Sequence, residues 1–485
     1  MNPVGATEVI DRIRSSESAR IARSAISDDE KVWVVGGAVR DALFGSDVVD
    51  VDLAVAPGHE ERLAKELAAA GGGFAFELSA DHRTWRVVSA ERDWHMDLAA
   101  LRGESIEDDL RLRDFTINAL AVDLGGNGGE VIDPTGGLSD ARSRLLRATS
   151  SEAFADDPLR LLRAARIASA FALGLDSETI ELAKAAAPRA GEPAGERQFG
   201  EFHLMLSGPD PLNALSLLDE LELTEHFLPE IWGLRGVGQS RNHHLDVHGH
   251  TLAVLGQLLE IEADLYEYAG DQEARLVDLL EEQVAEDVTR RTALRMGALF
   301  HDIGKPATRK QEGEMVTFMG HDEAGAEITR EICQRLRVGR RLSAHLESLV
   351  RSHLRLGFLV HERSLSRRRI YDYLRACEPV AADVTVLSVA DRLSARGSGP
   401  IASEEMVRAH LELAREMLEP ALDWHRDGQP SPPIDGDVIV DELGIEPGPE
   451  VGKIIEELRA ATYSGELAGA DEARAYAEDF ARRGR

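Results

Sequence analysis

The stretch VWVVGGAVRDALFG (32–45), with the run VDVDLAV (49–55) that follows it, decides the fold of the N-terminal third of the chain. VWVV is a short β-branched and aromatic strand, Gly36 and Gly37 break it, and residues 38–44 take up a helical pattern. VDVDLAV alternates with the period of two expected of a half-buried strand. Side chains of a strand point alternately to its two faces, so Val51, Leu53 and Val55 face a core while Asp50 and Asp52 share the other side. Glycines at a strand-to-helix junction let backbone N–H groups approach a phosphate, with Arg40 at hand as a counter-charge. Two carboxylates on one strand face beside such a junction suit a pair of Mg²⁺ ions. A solvated strand face is the plainer alternative.

Outward from this stretch, a helix over 59–70 and strands near 84–90 and 94–101 complete a small α/β domain between about 31 and 145. From about 152 the strands stop, and helices rich in Ala, Leu and Arg take over, punctuated by Pro and Gly at 188–195, 207–211 and 428–436. At about 150 residues per domain, 485 residues hold roughly three domains. Hydrophobic residues at 43% against 29% charged support buried cores and exclude wholesale disorder. Cys333 and Cys377 are too few for a disulfide scaffold or a thiolate zinc site and read as small buried hydrophobes. MNPVGATEVIDRIR lacks the apolar centre of a secretory signal, and no apolar run reaches the length of a membrane span, so a soluble cytoplasmic protein is expected.

Three further blocks, RLRDFTINA (111–119), DPTGG (133–137) and DDPLRLLRAAR (156–166), follow in order. Together with GGAVRDALFG and DVDLAV they resemble the signature blocks of the class II tRNA nucleotidyltransferase and bacterial poly(A) polymerase family, within the DNA polymerase β superfamily. The resemblance covers roughly residues 30–210 and runs more loosely to the C-terminus. It implies an α+β fold, with a small polymerase-β-type α/β head followed by a mostly α-helical neck, body and HD domain. The expected divisions are a head at 1–150 with a helical extension at 1–30, a neck at 151–235, an HD domain at 236–400 and a tail at 401–485 in possible contact with tRNA.

The same resemblance implies residue roles. Asp50 and Asp52 would bind metal, and Asp97 in WHMDLAALR (94–102) would help activate the attacking hydroxyl of the RNA end. Gly36, Gly37 and Arg40 would meet the nucleotide's phosphates, while Arg113, Asp114 and Asn118 contact ribose and organise the pocket. Asp133 with Gly136 and Gly137 forms a hinge-like link, and Asp157 with Arg160 selects the incoming base. An aspartate offers acceptors and an arginine a donor fork, so the pair can mimic a Watson–Crick edge. Asp157-Pro158 equally suits a helix start. Arg163 and Arg166 extend a basic stripe suited to triphosphate or RNA, and GERQFGE (195–201) resembles the family's fifth block through Glu196, Arg197 and Glu201, or is an ordinary surface helix. The implied activity is addition of C and/or A to the tRNA 3′ end from CTP and ATP, with Mg²⁺ in the head and release of pyrophosphate. A CC-adding enzyme and a poly(A) polymerase stay open. GESIEDDL (103–110) is short where many members carry a longer flexible loop associated with switching from C to A addition, which keeps the CC-adding specialist in view.

HHLDVHGHT (243–251), LFHDIGKP (299–306), GHDEAG (320–325) and VADRL (389–393) resemble an HD-type metal phosphohydrolase. That resemblance implies His250, His301, Asp302 and Asp391 as ligands of a divalent metal of unknown identity, His321 and His353 as extra ligands of a two-metal version, and Lys305 as a phosphate contact. Imidazole and carboxylate suit a hard-to-borderline divalent ion. His243, His244 and His248 read as structural. If the HD domain were the sole working unit, the head would be a non-catalytic RNA-binding module; intact Asp50 and Asp52 argue against that. Gly448-Pro449 ahead of a helix at 451–458 offers N–H groups to an RNA phosphate or simply packs the tail.

The net charge of −32 repels phosphate backbones at long range. Residues 335–375 reverse it locally, with eleven arginines against Glu347, Glu362 and Asp372. Within them Arg367, Arg368 and Arg369 are candidates for RNA binding, unless such arginines pair with neighbouring acids.

Overall fold

The computed structural model describes residues 3–27, 30–79, 83–91, 94–125, 130–285, 287–313, 315–362 and 364–483. It gathers the chain into two units, Met1–Phe227 and Leu228–Arg485. The break falls inside the segment expected as neck (151–235), eight residues before its end.

In the first unit a seven-stranded sheet runs in the order β3-β4-β5-β2-β1-β6-β7. The strands are β1 Val32–Val35, β2 Val51–Val55, β3 Phe74–Ser79, β4 Thr84–Val88, β5 His95–Ala100, β6 Ala121–Asp123 and β7 Val131–Ile132. β2 and β5 pair in parallel, and the other pairings are antiparallel. The alternation read from VDVDLAV holds: Val51, Leu53 and Val55 are buried, and so are Met96 and Leu98 on β5. Helix Glu60–Ala70 covers this side, burying Leu63, Ala64 and Leu67. Each such leucine contributes about 1.5–3 kcal/mol by leaving water.

On the opposite face, helix Ile106–Arg111 covers the β1–β6 half, packing Ile106 and Leu110 with Trp33, Val35, Ala54 and Ala121. GESIEDDL, expected as a shortened loop, is thus largely this helix. Ser105 caps it by accepting from the Asp108 N–H, and acidic Glu107, Asp108 and Asp109 fill its first turn, where the helix dipole favours them.

Two expectations about strands need correction. β3 at one edge and β6–β7 at the other were not foreseen. Strands also do not stop at 152: Gly174–Leu175 pairs with Leu145–Leu146, Gln283–Ala285 with Val288–Thr289, and Lys310–Glu312 with Met315–Thr317. Pairs of two or three residues are too short to show a period.

The second unit is built on helices Val247–Ala263, Arg290–Phe300, His321–Arg335, Arg340–Ser352 and Ala381–Ser394. The last is buried along most of its length. The tail forms its own small core of Ile434, Ile439, Ile445, Ile454, Leu458 and neighbouring alanines. Its helix Pro449–Ser464 docks on helix Arg367–Ala376, where the rings of Tyr371, Trp424 and Tyr463 meet at centroid distances of 5.5 to 6.0 Å. Cys333 and Cys377 are free and buried, as expected. Among the described residues no helix is long and apolar enough to cross a membrane.

Candidate active sites

Gly36 ends β1 with φ +71°, a conformation that favours glycine. A Cβ there would also lie 2.9 Å from an Arg113 guanidinium nitrogen and 3.3 Å from an Asp52 carboxylate oxygen. The glycine therefore makes room for two of the expected site residues. Asp52 and Asp97 are register partners on parallel β2 and β5. Asp97 is held by Arg86, whose Nε and Nη2 donate to its two oxygens at 2.7 Å each. Asp50 lies just ahead of β2 and accepts from the His95 N–H at 2.8 Å, with His95 Nδ1 2.9 Å from the same oxygen.

Asp52 reaches solvent at the sheet surface, yet the protein packed around it disfavours its charge. That desolvation, together with the neighbouring Asp97 carboxylate, raises its pKa despite Arg113, His95 and Arg163. The Asp52 and Asp97 carboxylates, side by side on two parallel strands and one of them short of positive charge, fit a hard divalent cation.

Asp114 and Asn118 of RLRDFTINA sit inside the unit. Asp114 accepts from Asn118 Nδ2 (3.0 Å), from the Phe115 N–H (2.8 Å) and from Arg163 Nε (2.8 Å). Arg163 reaches on to Glu201 at 3.4 Å, and Arg166 Nε donates to the other Glu201 oxygen at 2.5 Å. Arg40 closes the network at its far end, donating to Asn118 Oδ1 (3.1 Å) and to Asp41 (2.7 and 2.9 Å) and lying over the Phe171 ring.

Asp157 accepts from Arg197 Nη2 at 2.8 Å and from the Leu159 N–H at 3.1 Å. One carboxylate thus supports the start of helix Leu159–Phe171 while facing a cavity of about 840 Å³ lined by Arg102, Leu112, Asp157, Arg160, Pro193 and Arg197. Arg160 donates to the carbonyls of Leu112 (2.9 Å), Ala153 (3.1 Å) and Arg113 (3.4 Å). Asp133 accepts from three successive backbone N–H groups, of Gly136, Gly137 and Leu138, and so fixes the turn rather than leaving a loose hinge.

In the second unit, side chains from four helices and from the turns after two others converge on Asp302. Its Oδ2 lies 3.2 Å from His301 Nε2, 3.6 Å from His250 Nε2 and 2.6 Å from Lys305 Nζ. Its Oδ1 lies 3.3 Å from His321 Nε2 and 3.9 Å from His353 Nε2. Asp391 adds a carboxylate 3.0 Å from His250 Nε2. His301, His321 and His353 place Nδ1 at 2.8, 2.7 and 2.6 Å from the carbonyls of Ala298, Phe318 and Val350. Donation from Nδ1 leaves each Nε2 with its lone pair turned toward Asp302. His321 Nε2 and His353 Nε2 then face each other at 3.3 Å, an arrangement that calls for a cation. His353 is pushed down to about 4 by burial and by His301, so it is a neutral ligand at ordinary pH. Two ligand groups result, His250 with His301 and Asp302, and Asp302 with His321 and His353.

Residues 32–147 match the family described as the poly A polymerase head domain, 173–234 the probable RNA and SrmB-binding site of polymerase A, and 247–396 the HD domain. The chain is 34% identical over 457 residues to an A-adding tRNA nucleotidyltransferase of Deinococcus radiodurans, across 92% of this chain and 95% of that one. The chain belongs to the tRNA nucleotidyltransferase family. It is also 34% identical to a CC-adding member from Thermus thermophilus (91% and 92% covered) and 30% identical to one from Geobacter sulfurreducens (92% and 90%). The fold is shared with solved CCA-adding enzymes: one in complex with ATP at TM-score 0.63 and 19% identity, covering 98% of each chain, and the Thermotoga maritima enzyme complexed with tRNA at TM-score 0.59 and 20% identity, covering 98% and 99%.

For this tRNA nucleotidyltransferase several sequence expectations change. Arg163 and Arg166 are not an open stripe for triphosphate or RNA; Asp114 and Glu201 engage them. GERQFGE is no ordinary surface helix, since Glu201 is buried between those arginines. Arg40 is taken up by Asp41 and Asn118, and Lys305 by Asp302 and Gln239 Oε1 at 2.6 Å, so neither stands as a free phosphate contact. Part of the basic segment is engaged by acids as well. Arg368 pairs with Glu457 (2.8 Å), Arg369 with Glu362 (2.7 Å) and Arg375 with Glu456 (3.2 Å), while Arg367 lies 5.7 Å from the Tyr463 ring centroid. Arg363 lies outside the described residues.

Other residues were missed. Arg86 and His95 hold the head carboxylates. His243, read as structural, sits 4.5 Å ring to ring from His250 and lines the same cleft, pushed down to about 3 by burial, His250 and Lys305. Buried His410 lines that cleft from helix Glu404–Asp427, which no motif marks.

The Asp114 network has a consequence in acid. Burial alone would raise the Asp114 pKa, but Arg163, Asn118 and the Phe115 N–H bring it down to about 2. A carboxylate whose folded pKa is depressed contributes stability above its unfolded pKa and loses it as pH falls through the folded one. The first unit should therefore lose about 2 kcal/mol between roughly pH 4 and pH 2. Thermal melts across that range check this, and Asp114→Asn should flatten the dependence.

Proposed function

We propose that this protein adds C, A or both to the 3′ end of tRNA from CTP and ATP, with release of pyrophosphate, with Mg²⁺ held by Asp50 and Asp52 and with Asp97 helping to activate the attacking hydroxyl. The observation that carries the reading is the in-register Asp52–Asp97 pair beside the Gly36 turn, in a chain alignable nearly end to end with named A-adding and CC-adding relatives. Bound there, the ions supply Lewis-acid stabilisation of the charge that develops on the transferred phosphoryl group. The chain's own residues do the positioning. His95 and Arg86 aim Asp50 and Asp97, the absent Cβ of Gly36 admits Arg113 next to Asp52, and Asp109 holds Arg113 at 3.0 Å. The base of the incoming nucleotide occupies the cavity of about 840 Å³, where Asp157 offers acceptors and Arg160 and Arg197 offer donors. A tRNA substrate places the work in the cytoplasm.

Incubating the protein with each labelled nucleotide and tRNA lacking CCA, or ending in CC, separates the specialists. Three additions mark a CCA enzyme, two C additions a CC enzyme, a single A on the CC end an A-adding enzyme, and a continuing run of A a poly(A) polymerase. No incorporation on either tRNA overturns the proposal.

A second activity of the same chain is favoured by the two ligand groups that share Asp302, at the base of a cleft of about 620 Å³. Such a site suits hydrolysis of a cyclic phosphate or phosphomonoester at an RNA end, with a divalent metal activating water. Opening of a cyclic phosphate to a monoester, or release of phosphate from a monoester end, by the metal-loaded protein and lost in His301→Ala, is the expected result. Hydrolysis that survives this change would place the activity elsewhere.

A further inference from the structure

On the sheet face that carries Asp52, the cross-strand register sets four residues in line: Asp52 on β2, Asp97 on β5, Arg86 on β4 and Phe76 on β3. Neighbouring strands lie about 4.8 Å apart, so Phe76 stands roughly 14 Å from Asp52. β3 is the edge strand, and Phe74, two residues from Phe76, shares its face. The two rings are stacked, with centroids 6.3 Å apart and planes 24° apart, and both side chains are exposed, Phe74 at 46% and Phe76 at 40%. Leu78, 46% exposed at the irregularity of β3, extends the apolar strip.

A long apolar edge is a liability that folded proteins usually blunt with charge. Here the charge lies inward of it. Arg86 stands between the strip and the carboxylates, and Arg83 lies just ahead of β4, where it pairs with Glu60 at 3.0 Å. One register row along from Arg86, Asp97 and Asp52, in line with Ser79 of β3, the floor drops to Thr84, Ala99 and Ala54, leaving a groove of about 430 Å³ also lined by Arg83, Arg102, Asp109 and Arg113. The other half of this face is shut by Ile106 and Leu110. Among the described residues of the head, the β3 edge therefore offers an approach to Asp52 along the sheet, past the aromatic strip and Arg86 with the groove alongside.

We propose that Phe74 and Phe76 are a stacking platform for the unpaired 3′ end of the RNA strand being extended. Aromatic side chains on exposed sheet faces hold single-stranded bases this way, and stacking tolerates any base because every base has a π-face. Such tolerance suits a strand whose terminal base changes with each addition. With 3.4 Å as the rise of stacked bases, the platform lies within about four bases of the reacting hydroxyl. The proposal rests on the nucleotidyltransferase reading of the head.

The test uses the full-length protein and tRNA carrying 2-aminopurine within its last four positions. Wild-type protein should quench the probe on binding. Phe74→Ala with Phe76→Ala should abolish the quench and raise the KM for tRNA roughly ten-fold or more, leaving the KM for the nucleotide unchanged. Phe74→Tyr with Phe76→Tyr should restore both. A wild type that incorporates nucleotide beside an alanine variant of equal tRNA KM and equal quench overturns the platform. So does an unchanged KM accompanied by conversion of a dimer to a monomer in sedimentation, which would make the strip a face for a second copy. A wild type that incorporates nothing overturns the reading of the head instead.

Discussion

Asp52→Asn should lower nucleotide incorporation by at least about 1,000-fold, the equivalent of about 4 kcal/mol of transition-state stabilisation. The change keeps the side chain's shape and removes its charge, at the position where burial and Asp97 already leave negative charge under-compensated. Asparagine cannot supply an anionic oxygen to a divalent ion, whereas it can fill the same space on β2 without disturbing Leu53 or Val55. Asp50→Asn should cost less, because an asparagine oxygen can still accept the His95 N–H. Single-turnover incorporation with labelled CTP and ATP measures both, with circular dichroism confirming the fold. Retention of more than a tenth of wild-type rate by Asp52→Asn would remove Asp52 from the catalytic centre.

Asp302→Ala should empty both ligand groups of the second unit, lowering bound metal by two ions per chain while the head keeps its own. The reason is geometric: one oxygen of Asp302 faces His250 and His301, and the other faces His321 and His353. His353→Ala should remove one ion and leave the other, because it serves only one group. Metal content after equilibrium dialysis reads the difference directly. Nucleotide incorporation should persist in both variants, since the head carboxylates lie in the other unit. A metal content equal to wild type in Asp302→Ala would show that the histidines alone suffice.

Much of this was legible because the relevant chemistry is local in sequence. VDVDLAV carries its two faces in its own alternation, and HDIGK places two ligands side by side. β3 was passed over although Phe74, Phe76 and Leu78 alternate as a strand does. It follows three glycines, and its apolar side turned out to be exposed, so the usual link between alternation and a core fails there. GESIEDDL is too short to show a helical period; its signal was the Ser105 cap with acids in the first turn. The arginines at 163 and 166 show the opposite limit. Spacing put them on one side of a helix, but only tertiary structure shows that Asp114 and Glu201 are what they face. His410 joins the HD cleft from a helix that no motif marks.

The shared carboxylate of Glu201 has a consequence for descent. It binds Arg163 and Arg166 across thirty-eight and thirty-five residues of chain, and Arg163 in turn holds Asp114 of RLRDFTINA. A buried charge left without its partner costs about 3–5 kcal/mol, so a change at any one of these positions is tolerated chiefly when another changes with it. Three blocks that look separate along the sequence are thereby bound to be inherited as one.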